Sequence, residues 1–476
     1  MTQAVLWTVS EIVAVTKGSH TGENRPVTGV SIDTRDIKPG DLFIALKGPN
    51  FDGNQFAEEA LEKGATAVLT TRKGNPGFIT VPDTFTALHD LGAGGRARSN
   101  AKIIAVTGSV GKTSVKAMLQ ATFAMLGKTH ASDASLNNHW GVPLSLARMP
   151  MDAEYAIFEI GMNHANEIAP LSKLVSPHVS IITTIASAHI QNLGSMENIA
   201  RAKAEIFQGM SPDGTAILPH DSELYPILLA EARTQGLQKI ISFGQSEKSD
   251  IRLVGVHGDQ HDMIDATINN QPFSFKFGIP GSHQMVNALS VIAAVKTLDG
   301  DIRNALHAFA TMTPVSGRGD QVPVHLPGGG EPLLVINETH NASPIAVKAA
   351  LVVLQNTPVK NRRIIALGDM LELGPDSPQF HAELKDAILQ TNPHAVYLSG
   401  PLMKHLADVL PPEITHHFAS SDQLAVALCA AVQPGDAVLL KGSRGAKMKL
   451  VVDALVELGQ SVNTSTPPLS PAIQTG

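Results

Sequence analysis

Aromatic side chains are scarce in this 476-residue chain, with two Trp, three Tyr and 15 Phe making up 4% of it. The formal net charge is −7, so no basic surface interleaved with stacking rings is available, and nucleic acid is not an expected partner. Cysteine occurs once, at Cys429, which excludes an intramolecular disulfide, fits a reducing compartment and is expected to pack in a core. No run reaches the roughly 18 apolar residues that a membrane helix needs. Glu11 interrupts an N-terminal stretch that has no basic region, so neither membrane insertion nor a secretion signal is expected, and a cytoplasmic location follows. What the chain has is length, enough for two or three domains with a large core.

The most telling segment is Ile103-Ile104-Ala105-Val106-Thr107-Gly108-Ser109-Val110-Gly111-Lys112-Thr113-Ser114. It is an apolar strand, a glycine turn and a Gly-Lys-Thr that opens a helix, the context in which backbone N–H groups and a helix N-terminus cradle phosphate. Lys112 is suited to neutralise terminal phosphates and the Thr113 hydroxyl to ligate Mg2+. Val115, Met118, Leu119 and Thr122 recur at helical spacing, and Gly127 supplies a stop. The position five residues before Gly111 is Val106 rather than glycine, which leaves a shortened loop.

Three units are expected, at 1–98, 99–313 and 314–465, with a disordered Ser/Thr/Pro-rich tail over 466–476. The first reads as small α/β, with strands at 27–31, 41–45 and 65–69 and a helix at 55–63; Gly92-Ala93-Gly94-Gly95 reads as the way out of it. The second has continuous apolar runs at 155–160 and 179–185, as parallel strands buried on both faces do. Alternation over 251–279 marks an antiparallel insert. The third alternates strands at 333–336, 363–367, 395–398 and 437–440 with helices, the pattern of a doubly wound, Rossmann-like sheet. The expected fold class is therefore α/β, in three domains around a central phosphate-loop unit with a mostly parallel sheet.

Thr113, Glu159 and His189 all fall where strands of the second unit end, and in an open parallel sheet those ends share one edge. Glu159 interrupts an apolar strand, so its carboxylate needs either a metal or a buried Arg or Lys. His189 is open to two readings, a ligand beside the other two or a satisfied loop histidine. Over 195–207 a capping serine precedes a helix whose apolar face carries Met196, Ile199, Ile206 and Phe207, with Lys203 in its middle; Glu197, Arg201, Glu205 and Gln208 take the opposite side. A lysine amine sent into the core needs a partner or a lowered pKa, and a neutral amine can take up carbon dioxide as an anionic, metal-binding carbamate. The residues alone favour the alternative, a long stem reaching solvent.

Four further motifs resemble the Mur ligase family, ATP-dependent enzymes that extend the peptide of the bacterial cell-wall precursor. They are Asn137-Asn138-His139-Trp140-Gly141-Val142-Pro143-Leu144, Glu159-Ile160-Gly161-Met162-Asn163-His164, Ala366-Leu367-Gly368-Asp369-Met370-Leu371-Glu372-Leu373-Gly374 and Lys441-Gly442-Ser443-Arg444. Ser31-Ile32-Asp33-Thr34-Arg35 is similar to the module that holds a UDP-sugar, which implies substrate contacts for Ser31 and Arg35. The resemblance further implies substrate contacts for Asn137, Asn138 and Asn341, and ATP contacts for Gly108, Ser109, Val110, Gly111, Lys112, Thr113 and Ser114. It places Asn287 at the adenine and makes Arg318 a candidate γ-phosphate contact. It implies a catalytic trio of Lys112, His189 and carbamylated Lys203, with two Mg2+ sites drawn from Thr113, Glu159, His189 and Lys203. The implied reaction joins D-alanyl-D-alanine to UDP-N-acetylmuramoyl-tripeptide through an acyl phosphate, in a monomer. Alternatives are the preceding ligase, which adds the third amino acid, and a non-catalytic nucleotide-binding descendant. Departures from the usual family pattern fall at Asn337, His340 and Ser343, and at Asn54.

Overall fold

The computed structural model describes residues 4–133, 136–187, 189–258, 262–298 and 300–460. The tail expected over 466–476 lies outside them. Among the described residues, no helix is long and apolar enough to cross a membrane.

The first unit is a four-stranded parallel sheet of Gly29–Ser31, Asp41–Ile44, Ala67–Thr70 and Phe78–Thr80. The single strand expected over 27–31 is split: Pro26–Val27 pairs antiparallel with Trp7–Thr8, and only Gly29–Ser31 joins the sheet. The expected helix begins as a 3-10 turn, Gly53–Phe56, and continues as Ala57–Glu62.

The exit expected at residues 92–95 is not a loop. These residues lie inside the helix Thr84–Ala97, which packs on the helix Gly141–Ala147 of the central unit. A Cβ on Gly92 would lie 3.0 Å from Pro143 Cα, and one on Gly95 would lie 2.2 Å from the Leu146 carbonyl oxygen. Glycine here lets two helices touch backbone to backbone, which outweighs its poor helix propensity. Gly95→Ala is therefore expected to destabilise the protein by about 1–3 kcal/mol through overpacking, read as a lowered unfolding midpoint. An unchanged midpoint would show that the helix pair has slack.

The central unit is built on a nine-stranded sheet. Its parallel strands run Thr129–Ala131, Tyr155–Glu159, Lys102–Thr107, Val179–Ile182, Thr215–Pro219, Lys239–Gly244 and Ile251–His257. The alternation over 251–279 is the expected antiparallel extension, Ile251–His257 with Met263–Ile268 and Gln271–Lys276. Successive residues of Lys102–Thr107 feed the two cores: Ile104 and Val106 meet Val115, Met118 and Leu119, while Ile103 and Ala105 meet Val142 and Leu146. Burial on both faces explains the unbroken apolar run.

The third unit is a six-stranded sheet in the order Asp320–Val324, Leu333–Glu338, Ala437–Lys441, Arg363–Gly368, Ala395–Ser399, Thr415–Phe418. All its pairs are parallel except the antiparallel edge strand Asp320–Val324. Cys429 packs against the core between this sheet and its helices, and burial raises its thiol pKa.

Candidate active site

The strand Lys102–Thr107 delivers the chain into the phosphate loop, and the helix Lys112–Phe123 leaves it. Gly108 and Gly111 take φ of 148° and 92°. At Gly108 a Cβ would sit 1.9 Å from Thr183 Oγ1, whose hydroxyl donates to the Val110 carbonyl at 2.6 Å, so the loop fits against its neighbouring strand only with glycine there. Lys112 folds back on the loop, its ammonium donating to the Gly108 carbonyl at 2.7 Å. Burial lowers its pKa, and Glu159 opposes that shift.

Glu159 ends its strand beside the helix start. Its Oε2 accepts from Thr113 Oγ1 at 2.8 Å and its Oε1 from Asn137 Nδ2 at 2.8 Å. Burial pushes this carboxyl up, but Lys112, Asn137, Lys116 and Thr113 together hold it below the ordinary value. Of the two readings of Glu159, the buried basic partner is present, as Lys116 at 3.8 Å, whose ammonium is further satisfied by the carbonyls of Ser132 at 2.7 Å and Asp133 at 3.2 Å. Lys116 was not singled out in the sequence. The available signal was its position four residues after Lys112, on the same helix face.

Lys203 is 2% exposed on the helix Met196–Ala204, so the snorkelling reading fails. It forms no hydrogen bond or ion pair with a described residue. Burial, reinforced by the Lys112 charge, lowers its pKa well below the lysine range. The helix gives way to a 3-10 turn, Glu205–Gly209, and Glu205 is buried rather than solvated. Its carboxylate accepts from the N–H groups of Asn166, Ile168 and Ala169 at 2.6, 3.1 and 3.1 Å, capping the helix Ile168–Val175 from a distance. The heptad-like pattern missed it because its partners are 36–39 residues away in sequence.

His189 precedes the short helix Ile190–Leu193 in a left-handed conformation, φ 65°. Its Nδ1 lies 2.7 Å from Glu372 Oε2 of the third unit, close enough for an ion pair but outside hydrogen-bond alignment. Glu372 is also left-handed, φ 64°. Such residues cost about 1–3 kcal/mol each and persist where surroundings impose them. Burial lowers the His189 pKa, against the pull of Glu372.

A cleft of about 1190 Å³ brings together the loop from Ser109 to Ser114 with Asn137, Asn138, Glu159, His189, Asn287, Arg318 and Asn341. Asn287 presses on Gly111, with its amide 2.8 Å from where a Cβ would be. Arg318 comes from the junction with the third unit, and its largely enclosed guanidinium has no hydrogen-bond partner among the described residues; burial lowers its pKa while Glu159 and Glu338 raise it. Asn138 Oδ1 accepts from the N–H groups of Trp140 and Gly141, starting the helix Gly141–Ala147. Lys441 donates to Glu338 Oε2 at 3.1 Å and to the Asn341 carbonyl at 2.9 Å, which fixes the far wall. Asn337, one of the departures, donates its amide to Asp320 on the neighbouring strand at 3.2 Å.

Gly108 and Lys203 are not among the residues that line the cleft. Ser31 and Arg35 are not part of it. Ser31 Oγ donates to the Asp33 carbonyl at 3.0 Å, and Arg35 forks onto the Asp33 carboxylate, holding that group at about 2. Arg148 ties this region to the central unit, donating to the Val30 carbonyl at 2.7 Å and to Asp133 at 2.6 Å.

Among the described residues no three His, Cys, Asp or Glu side chains form a metal cluster. The donors lining the cleft are a hydroxyl and a carboxylate 2.8 Å apart and an imidazole; the buried Lys203 amine, without a partner among the described residues, is close enough to Lys112 and His189 for their charges to act on one another. Hydroxyl and carboxylate oxygens suit Mg2+, and a carbamate on Lys203 would add a second anionic group to the Glu159 carboxylate.

His340 faces this cleft, where burial first, then Arg318, moves its pKa down to about 4. The ring is neutral at pH 7 and offers a flat face rather than a charge. Because the folded value lies below the unfolded 6.5, the unfolded chain binds the extra proton first. His340 therefore costs stability as pH falls from about 6.5 to about 4. An NMR titration of the ring is expected to show a midpoint near 4; one near 6.5 would mean that the ring is solvated.

The chain matches the Mur ligase middle domain over residues 106–295, the Mur ligase glutamate ligase domain over 326–444 and the Mur ligase family catalytic domain over 26–106. This three-part α/β molecule with a phosphate loop at its central sheet edge belongs to the Mur ligase family. It is 34% identical to the UDP-N-acetylmuramoyl-tripeptide–D-alanyl-D-alanine ligase of Rickettsia prowazekii over 94% of this chain and 99% of that one. It is 32% identical to the ligase of the same name from Bacillus subtilis, over 94% and 97%. A crystal structure of MurF from Acinetobacter baumannii superposes with a TM-score of 0.82 at 27% identity, covering 95% of this chain and 99% of that one.

Proposed function

We propose that this protein is an ATP-dependent amide ligase that adds D-alanyl-D-alanine to UDP-N-acetylmuramoyl-tripeptide in peptidoglycan precursor synthesis. The observation that carries this reading is the near full-length similarity to ligases of that name, combined with a cleft in which a phosphate loop faces an enclosed arginine. A carboxylate oxygen of the tripeptide attacks the γ-phosphorus of ATP and the bond to ADP breaks, giving an acyl phosphate. The dipeptide amine then attacks the acyl carbon, phosphate leaves with the bonding pair, and the amine loses a proton to form the amide.

ATP and the UDP-linked acceptor are both polyanions, and the work of the site is to hold them together against repulsion. The loop N–H groups and Lys112 receive the β and γ phosphates, and Arg318 reaches the γ-phosphate from the domain junction. Asn287, pressed against Gly111, is assigned to the adenine, and the neutral His340 faces the same cleft within reach of the Arg318 and Glu159 charges. Asn137, Asn138 and Asn341, which line the cleft, are assigned to the peptide and amine, and Ser31 and Arg35 to the UDP-sugar end. Mg2+ would be held by Thr113 and Glu159, and a second ion by His189 and carbamylated Lys203; such ions supply charge screening at the transferred phosphoryl group. Action as a monomer is part of this reading, and the ATP requirement and single thiol fit the cytoplasm. The preceding ligase and a non-catalytic descendant are not favoured, since relatives across nearly the whole chain bear the D-alanyl-D-alanine ligase name.

The test is phosphate release by purified protein with ATP, Mg2+, UDP-muramoyl-tripeptide and a panel of amines. Release that requires both tripeptide and D-alanyl-D-alanine is expected. Release with a single amino acid and UDP-muramoyl-dipeptide would instead identify the preceding ligase, and ATP binding without release would identify the non-catalytic descendant.

A further inference from the structure

The contact between His189 and Glu372 crosses from the central to the third unit, and nothing in the phosphate loop accounts for it. Glu372 is not a loose surface carboxylate. The turn that carries it follows the strand Arg363–Gly368 and is pinned by four hydrogen bonds: Asp369 N–H to the Ser399 carbonyl at 3.2 Å, Met403 N–H to Asp369 Oδ1 at 2.8 Å, Met370 N–H to His381 Nε2 at 3.0 Å and Leu371 N–H to Ser443 Oγ at 2.9 Å. Two residues beyond, Gly374 with φ 72° lies against Gln191, where a Cβ would be 3.6 Å from the Gln191 Cα. From the other side, His189 is held by its own short helix, with Asn192 N–H returning to the His189 carbonyl at 3.0 Å. Two left-handed residues on separate units thus aim at each other, and among the described residues neither side chain has another ion-pair partner.

We propose that Glu372 is a positioning residue that orients the His189 ring. A histidine that ligates a metal almost always gives its other ring N–H to a carboxylate, carbonyl or water, which fixes both tautomer and ring plane. Nδ1 is buried and lacks an aligned partner, and Glu372 is the carboxylate already at 2.7 Å, so a small ring rotation completes the bond. Protonation at Nδ1 leaves the Nε2 lone pair available for a cation. Because the carboxylate belongs to the third unit, the imidazole is set only when that unit is docked, which ties cation binding to domain closure. This inference rests on the ligase reading above for its cation but not for its geometry.

The experiment compares full-length wild type with Glu372→Gln and Glu372→Ala. Nitrogen NMR of 15N-histidine-labelled protein, with His189→Gln to assign the signal, reports the tautomer without any cation. Wild type is expected to carry the proton on Nδ1, and Glu372→Ala to lose that preference. In the phosphate-release assay the Mg2+ midpoint is expected to rise about 10–100-fold in Glu372→Ala and less in Glu372→Gln, which can still accept a hydrogen bond, while the KM for ATP stays within about twofold. A wild-type proton on Nε2, or an Ala variant with unchanged tautomer and unchanged Mg2+ midpoint, overturns the proposal; a fall in kcat with the tautomer and midpoint intact does so too, because it marks a merely structural contact. If the wild type releases no phosphate with any amine, the ligase reading fails, and the tautomer comparison still decides the role of Glu372.

Discussion

Lys203→Ala is expected to lower kcat by at least 10²–10³-fold, the scale of removing one preorganised electrostatic stabiliser, while the protein stays folded. The physical ground is that this amine is buried, has no partner among the described residues and is driven toward its neutral form by burial and by Lys112. A neutral amine is the reactive form toward carbon dioxide, so the wild type is expected to lose activity in solutions stripped of carbon dioxide and regain it on adding bicarbonate. The alanine variant is expected to ignore both treatments. Lys203→Met separates function from packing: it removes the desolvation cost and keeps the volume, and is expected to stabilise the central unit by about 1–3 kcal/mol while abolishing ligation. A methionine variant that is fully active would remove the carbamate from the account.

Glu159→Gln is expected to have the second largest effect. The carboxylate is the one anion set between Thr113, Lys112 and Lys116, and it stays ionised at neutral pH because those partners outweigh its burial. Its folded pKa is below the unfolded one, so its contribution to stability is complete above the unfolded value and lost as pH falls through the folded one. The amide keeps the shape but leaves the buried Lys112 and Lys116 ammonium groups without the carboxylate that offsets their burial. A loss on the order of 3 kcal/mol in stability and of roughly 10²-fold or more in kcat/KM is expected, measured by chemical unfolding and phosphate release. Adding Lys116→Met to Glu159→Gln is expected to restore part of the stability but none of the activity. Equal stability for wild type and Glu159→Gln would show that the cluster is solvated rather than buried.

Much of the fold was legible because the central and third units use long apolar runs, flanked by helices, that only a doubly covered parallel sheet can bury. The phosphate loop was legible because strand, glycines and helix occur together within twelve residues. What failed was local reasoning about residues whose meaning is set by distant neighbours. Gly92 and Gly95 looked like a linker because the helix they touch begins at Gly141. Glu205 looked solvated because the helix it caps comes earlier in the chain, at Ile168. Lys203 could not be decided from helical periodicity, since the same face serves a buried amine and a snorkelling one. Glu372 was visible only as part of a motif, and its partner His189 lies on another unit. Ser31 and Arg35, expected to contact substrate, do not line the cleft, and no sequence pattern measures that separation.

The cleft is proposed to activate a carboxyl group by moving the γ-phosphoryl of ATP onto it, and isotope transfer reads that step out. Acceptor tripeptide labelled with 18O in its terminal carboxylate is turned over with ATP, Mg2+ and D-alanyl-D-alanine, and the released phosphate is analysed by mass. One 18O in each phosphate is the expected result, because the acyl phosphate leaves with a carboxylate oxygen. Phosphate free of 18O, with amide formed all the same, would contradict it.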